Sequence, residues 1–344
     1  MKTKFIGSLA ALVTVCTLSP PALADLVPAG IWNGTVGLSV DGIGGNGTGT
    51  IGNVQASIPV TATVLQAYLY SAGTPYPFYP NSPQTLADYN NAGITLAGQA
   101  VNNFDTLVGA TSTRADIGQW FTARADVTTL VQSLLGGGPD YSWAVGEGSI
   151  TNRLDGEILA IVYSDASLAV GSVALLDGGQ NTSGETTNVF FGSPLDTSSP
   201  TFAAELGLGI SFSCCGQASN VSINGNLLSS NAGNFDDGLD QTDGSLITVG
   251  GLGDTASNLQ SYANDGELYD LSSFLNTGDT SFSLFTSNPT NDDNIFFASL
   301  YLNGEISGIN NPPPPGNPVP APGTLLLMAA GLGLMNLTRR NKKI

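Results

Sequence analysis

Residues 153–165 read RLDGEILAIVYSD, and residues 291–304 read NDDNIFFASLYLNG. Each opens on a polar, turn-forming group and then runs apolar on both faces, without the three-or-four spacing of a helix. Such a run fits the middle of a packed sheet, covered from both sides. One such strand in each half of the chain sets the frame for the rest.

Working outward, three more landmarks occur in the same order in both halves. ATVLQAYLYSA (62–72) answers to FAAELGLGISF (202–212), and GITLAGQAV (93–101) answers to NVSINGNLL (220–228). The second pair reads as hairpins turning near Gly98 and Gly225. ADVTTLVQSLL (125–135) answers to YDLSSFLNTGD (269–279), with Asp126 or Asp270 placed as the N-cap of a helical turn.

Composition agrees with many short strands and tight turns. The 344 residues include 44 Gly and 19 Pro but only 10% charged residues. The landmarks predict an all-β chain of two tandem units, 26–166 and 167–309. Their order resembles the jelly-roll β-sandwiches of many extracellular proteins, including carbohydrate-binding modules. One large sandwich in which the order recurs by chance is the alternative. The loops 42–53 and 175–188 are Gly-rich but lack the strand-to-helix setting of a phosphate-binding loop.

The charge is lopsided. Of nine basic residues, Lys2, Lys4, Arg339, Arg340, Lys342 and Lys343 sit at the ends. Between them stand Arg114, Arg124 and Arg153 against all 27 acids, a net charge near −24. A polyanion meets repulsion everywhere on such a surface, which argues against nucleic acid as a partner. The chain has no His. That removes Ser-His-Asp and Cys-His catalysis and His-ligated zinc.

Residues 1–24 have the form of a signal peptide: basic Lys2 and Lys4, an apolar run from Phe5 to Leu18, and Ala22-Leu23-Ala24 before the cleavage point. The mature chain is expected to begin at Asp25. Cys16 lies inside the apolar run behind Val15, which disfavours lipidation.

At the other end, residues 310–322 hold seven Pro and form an extended spacer. The uncharged stretch 323–338 follows, a hydrophobic helix about 24 Å long, closed by the basic residues of 339–344. Proline motif, short apolar helix and basic cluster together resemble the PEP-CTERM sorting tail. The resemblance covers about the last 26 residues and rests on Val319, Pro320, Ala321 and Pro322, with Arg339 and Arg340 behind. It implies export, processing by an exosortase after signal peptidase, and transient membrane attachment through the helix. Ala321 departs from the family's acidic third position. A plain C-terminal membrane anchor is the alternative.

Several residues between the ends could carry chemistry. Asp236, Asp237, Asp240 and Asp243, with Asp292, Asp293 and Asn294 in another loop, offer the crowded oxygens that calcium takes. They equally suit solvated turns, and their spacing is not that of an EF-hand. Cys214 and Cys215 are neighbours, about 3.8 Å apart at Cα across a trans peptide, so they form a strained vicinal disulfide or remain separate thiols. Tyr76, Phe78 and Tyr79, near Tyr68 and Tyr70, could stack on a sugar or fill the core. Catalysis would have to rest on carboxylates such as Glu147, Glu157, Glu205 and Glu267, and nothing in their spacing pairs them. The expected function is therefore a non-enzymatic structural or adhesive protein of the cell surface or extracellular matrix, in contact with extracellular polysaccharide. A surface carbohydrate-binding module is the alternative, and a carboxylate-dependent glycoside hydrolase a more distant one.

Overall fold

The structure is a computed structural model and describes residues 25–44, 51–112, 114–148, 154–213, 218–233, 247–250 and 267–310. The signal-peptide, spacer, sorting-motif and hydrophobic-helix assignments lie outside them. So do Cys214, Cys215 and the Asp236–Asp243 cluster. Among the described residues no helix is long and apolar enough to cross a membrane.

The described chain is all-β, built from antiparallel sheets with two short helices. Its first part contains β1 (Val27–Gly34), β2 (Val36–Gly44), β3 (Ile51–Ser57), β4 (Thr63–Gly73), β5 (Tyr76–Pro77), β6 (Thr95–Leu96), β7 (Gln99–Ala100), β8 (Phe104–Thr111), β9 (Gly118–Asp126), β10 (Asp140–Gly146) and β11 (Leu154–Ser164), with α1 (Leu86–Asn90) and α2 (Thr128–Leu134). The second part contains β12 (Gly171–Asp177), β13 (Glu185–Phe191), β14 (Ala204–Ser211), β15 (Ser219–Ile223), β16 (Asn226–Ala232), β17 (Ile247–Val249), β18 (Leu268–Asp270), β19 (Ser281–Ser287), β20 (Asn294–Leu302) and β21 (Ile306–Asn310).

Strand order recurs between the halves. One sheet runs β2-β11-β4-β9, and its counterpart runs β12-β20-β14 with β18 also pairing β14. The facing sheets run β3-β10-β6-β7 and β16-β15-β19-β13. The strands β11 and β20, formed by the two opening sequences, are buried almost throughout because each separates two apolar layers. Leu159 and Ile161 of β11 enter the core of the first half, while Ile158, Ala160 and Val162 meet Val173, Leu175, Phe296 and Phe297 of the second. A third core, with Leu206, Leu208, Leu300 and Leu302, lies within the second half. The four sheets thus stack with apolar layers between them, two halves in contact through their central sheets.

Two local readings are corrected. Tyr68 pairs with Asp126 and Glu205 with Asp270, so the matched segments 62–72 and 202–212 align three residues away from the sequence match. An odd slip exchanges the two faces of a strand. The corrected register puts Gly207 where Tyr70 stands and Gly209 where Ala72 stands. A Cβ on Gly209 would lie 2.5 Å from Cδ1 of Ile158, so the missing side chain admits the neighbouring sheet. The second correction concerns Asp126 and Asp270, which stand one residue before the N-cap positions, Val127 of α2 and Leu271 of a 3-10 turn at Ser272–Phe274. Their Oδ1 atoms accept from the N–H groups of Thr128 (2.9 Å) and Ser272 (2.8 Å), closing an Asx turn that starts the helix. The hairpin glycines behave as read: Ala97-Gly98 and Asn224-Gly225 both have positive φ at each residue, as a type I′ turn requires.

Candidate functional site

β1 crosses between the halves. It pairs with β12 from Val27 opposite Asp177 to Gly34 opposite Gly171, with a bulge between Pro28 and Gly30, although the next strand, β2, pairs with β11 in the other sheet. The first described residues are therefore part of the second half.

The interface between the halves carries the described arginines. Arg124 on β9 forms an ion pair with Asp177 on β12, its guanidinium carbon lies 4.7 Å from the centre of the Tyr68 ring, and Nη2 donates to Thr106 Oγ1 at 3.0 Å. Arg114, in the β8–β9 loop, donates to Asp116 at 2.7 Å and across the interface to Asp292 at 2.8 Å. Ser112 Oγ donates to the Asn291 carbonyl at 2.7 Å beside it. Burial raises Asp177, and Arg124 offsets only part of that rise.

The densest group of unusual carboxyls lies at the start of β11. Asp155 and Glu157 are essentially unexposed, and Glu147 is 5% exposed. Ser71 donates to Glu157 Oε1 at 2.9 Å, while Glu157 Oε2 and both Asp155 oxygens have no hydrogen-bond partner of normal geometry among the described residues. Burial, then the charge of Glu147, pushes both Asp155 and Glu157 far above the carboxylate range; the Phe212 backbone amide and Ser71 temper them only slightly. Burial thus favours the neutral acid at both positions.

A second buried acid lies before β20. Asp293 Oδ2 accepts from Ser219 Oγ at 3.1 Å, the Asn288 side-chain amide donates to the Asp293 carbonyl at 2.6 Å, and Oδ1 has no hydrogen-bond partner of normal geometry among the described residues. Burial raises its pKa to about 7 against the pull of Ser219.

Of the four Glu singled out in the sequence, the structure brings only Glu147 and Glu157 close to one another. Both are buried, Glu147 at 5% and Glu157 at 1% exposure. Glu267 accepts from Tyr269 Oη at 2.5 Å and from the Gly233 N–H at 2.6 Å. Glu205 stands beside an apolar cleft lined by Leu271, Tyr301 and Ile306, raised by burial and then by Asp270. Asp292 is held by Arg114. No group of three or more His, Cys, Asp or Glu residues among the described residues is arranged to hold a metal ion.

The aromatic loop is partly packed. Phe78 and Tyr79 make edge contacts with each other at 5.0 Å and with Phe212 at 6.2 and 5.9 Å, and Phe78 remains 48% exposed. Tyr76 pairs with Gln119 at the sheet edge. Tyr70 is wholly buried against Phe297, with centroids 5.0 Å apart.

Neither family models, curated proteins nor solved structures give a match to this chain.

Sequence reasoning missed an aromatic surface on the outer sheet. Phe190 of β13 and Phe285 of β19 are 40% and 38% exposed, on a face that also carries Thr186, Asn188, Ser222 and Ser283 and, opposite Ser222, the exposed Leu227 of β16. The alternation of β13 (ETTNVFF) and β19 (SFSLFTS) carried that signal, because period-two reading puts Phe190 and Phe285 opposite their core neighbours Val189 and Leu284.

Proposed function

We propose that this is an exported, non-enzymatic structural or adhesive protein of the cell envelope or extracellular matrix, built from two tandem jelly-roll-like sandwiches and sorted by a PEP-CTERM-like tail. The layout of the chain ends carries the reading: a signal-peptide pattern at 1–24, then a Pro-rich spacer, apolar stretch and basic cluster over 310–344. Support for the tandem units comes from the recurring strand order. An eight-stranded jelly roll has two four-stranded sheets of that kind.

The carboxyls also favour a scaffold over a catalyst. Asp155, Glu157 and Asp293 are shut into the ends of sheets, where they act on stability. The test is localisation in the native host with an epitope placed in the body. The intact chain is expected at the surface or in the matrix, and a chain lacking 323–344 is expected to lose that placement. Cytoplasmic retention of the intact chain would sink the export reading.

One observation favours the second reading, glycan binding: the uncharged face of Ser, Thr and Asn that bears Phe190 and Phe285, with Leu227 beside Ser222. Aromatic rings on a flat polar face can stack on sugar rings without drawing on charge. Binding of a neutral polysaccharide that disappears in F190S/F285S but survives in F78S would place the ligand on this face rather than on the sequence-predicted loop.

A further inference from the structure

We propose that removing residues 1–24 completes a buried ion pair, in which the α-ammonium released on Asp25 meets the carboxylate of Glu185 and locks β1 into the second half. The inference rests on the export reading, which sets the cleavage point between Ala24 and Asp25.

The geometry begins with Leu26. Its side chain is wholly buried in the core of the second half, and its N–H donates to Glu185 Oε1 at 3.3 Å. Glu185 Oε2 accepts from the Asn181 N–H at 2.9 Å. Asp25 is held against the same wall: a Cβ on Gly178, whose φ is +159°, would lie 2.1 Å from the Asp25 carbonyl oxygen. Only a glycine lets the backbone come so near.

Among the described residues no cation answers Glu185. It is 4% exposed, and among the described residues the charge acting on it is that of the acid Asp25, which pushes its pKa further up. Burial is the larger cause, the amides of Asn181 and Leu26 oppose it, and the result is about 7. The described arginines are engaged elsewhere, Arg124 with Asp177 and Arg114 with Asp116 and Asp292.

Cleavage supplies the missing charge. Signal peptidase adds water across the Ala24–Asp25 peptide bond, leaving a carboxylate on Ala24 and an amine on Asp25 that takes up a proton at neutral pH. That nitrogen is one residue from the Leu26 N–H, within about 3.8 Å of chain, so rotation at Asp25 brings it to Glu185. In the precursor the same atom is a neutral amide. Processing thus tightens β1, whose sheet partner β12 belongs to the other half from β2, the strand that follows it.

The test compares three forms of chain 25–344: a free Asp25 terminus, an Nα-acetylated terminus, and a Gly-Ser extension ahead of Asp25. Thermal unfolding is followed from pH 4 to 10 at low salt. The free form is expected to melt several degrees higher near pH 7. The difference should fade toward pH 4, where Glu185 is protonated, and above about pH 9, where the amine is neutral. Glu185→Gln should remove it. Equal curves for all three forms, or a difference that persists in Glu185→Gln, overturn the pair. The N-terminus of the protein from its native host is read separately by mass spectrometry. A start other than Asp25 overturns the cleavage reading and the processing role with it, while the three-form comparison still reports on the pair itself.

Discussion

Arg124 and Asp177 form an ion pair that joins β9 of the first half to β12 of the second, with side chains 18% and 4% exposed. A body with three arginines among 27 acids spends one of them inside this interface. Breaking a buried pair from one side leaves an uncompensated charge, at a cost of about 3–5 kcal/mol.

Arg124→Met is therefore expected to lower unfolding stability by about 3 kcal/mol, measured by urea titration near pH 7. Adding Asp177→Asn should recover much of the loss, because the stranded carboxylate is then gone. Additive losses in the double variant would argue against a coupled pair. Arg114→Ala is the contrast: Arg114 is 42% exposed, so its change should be small and should vanish in high salt.

Asp293 makes stability fall as pH rises. Its pKa is raised to about 7, so the folded state keeps a proton that the unfolded chain releases near pH 4. The contribution is whole below pH 4 and is lost as pH rises through 7. Asp155 and Glu157, also raised, add in the same direction. Asp293→Asn, a neutral stand-in for the protonated acid, should leave stability at about pH 3.5 nearly unchanged, raise it by roughly 1 kcal/mol at about pH 5, and raise it at about pH 8 by up to roughly 4 kcal/mol. A variant equally destabilised at all these pH values would show the carboxyl to be ionised in the fold.

Gly209→Val tests how closely the central sheets approach. Its Cβ would stand 2.5 Å from Ile158 Cδ1 and 3.0 Å from Phe297 Cβ. Overpacking of this kind costs about 1–3 kcal/mol. Differential scanning calorimetry should show a lower melting temperature, and a second transition would indicate halves that come apart before each unfolds. An unchanged single transition would mean the interface yields freely.

The Asx turns offer a paired measurement. Asp126→Ala and Asp270→Ala each remove one acceptor at the start of a helical turn, and each should cost about 1 kcal/mol by urea titration. Since the two turns occupy matching places after β9 and β18, similar losses are expected. A loss at only one site would show that the two turns do different structural jobs.

Patterning alone reached much of this architecture. The doubly apolar runs at 153–165 and 291–304, the Gly98 and Gly225 hairpins and the Asp126 and Asp270 turns are local signals, because each depends on period, turn chemistry or spacing within about a dozen residues. The three-residue slip between 62–72 and 202–212 was not legible, since register is set by the partner strand across the sheet. Nor was the destination of β1, which its own sequence does not distinguish from a first-half strand.

The candidate acids divide in the same way. Composition fixed the scarcity of cations and the absence of histidine, and with them the kinds of chemistry left open. Which carboxyl is paired, which is exposed and which is forced neutral depends on what the fold sets against each one. Asp177 meets Arg124 from the other half, Asp155 meets no cation among the described residues, and Glu185 lies beside the first residue after the expected cleavage point. Those outcomes depend on burial and on neighbours as far as 159 residues away in the chain, as between Leu26 and Glu185. Only the folded arrangement brings such groups within a few ångströms, where desolvation and charge act.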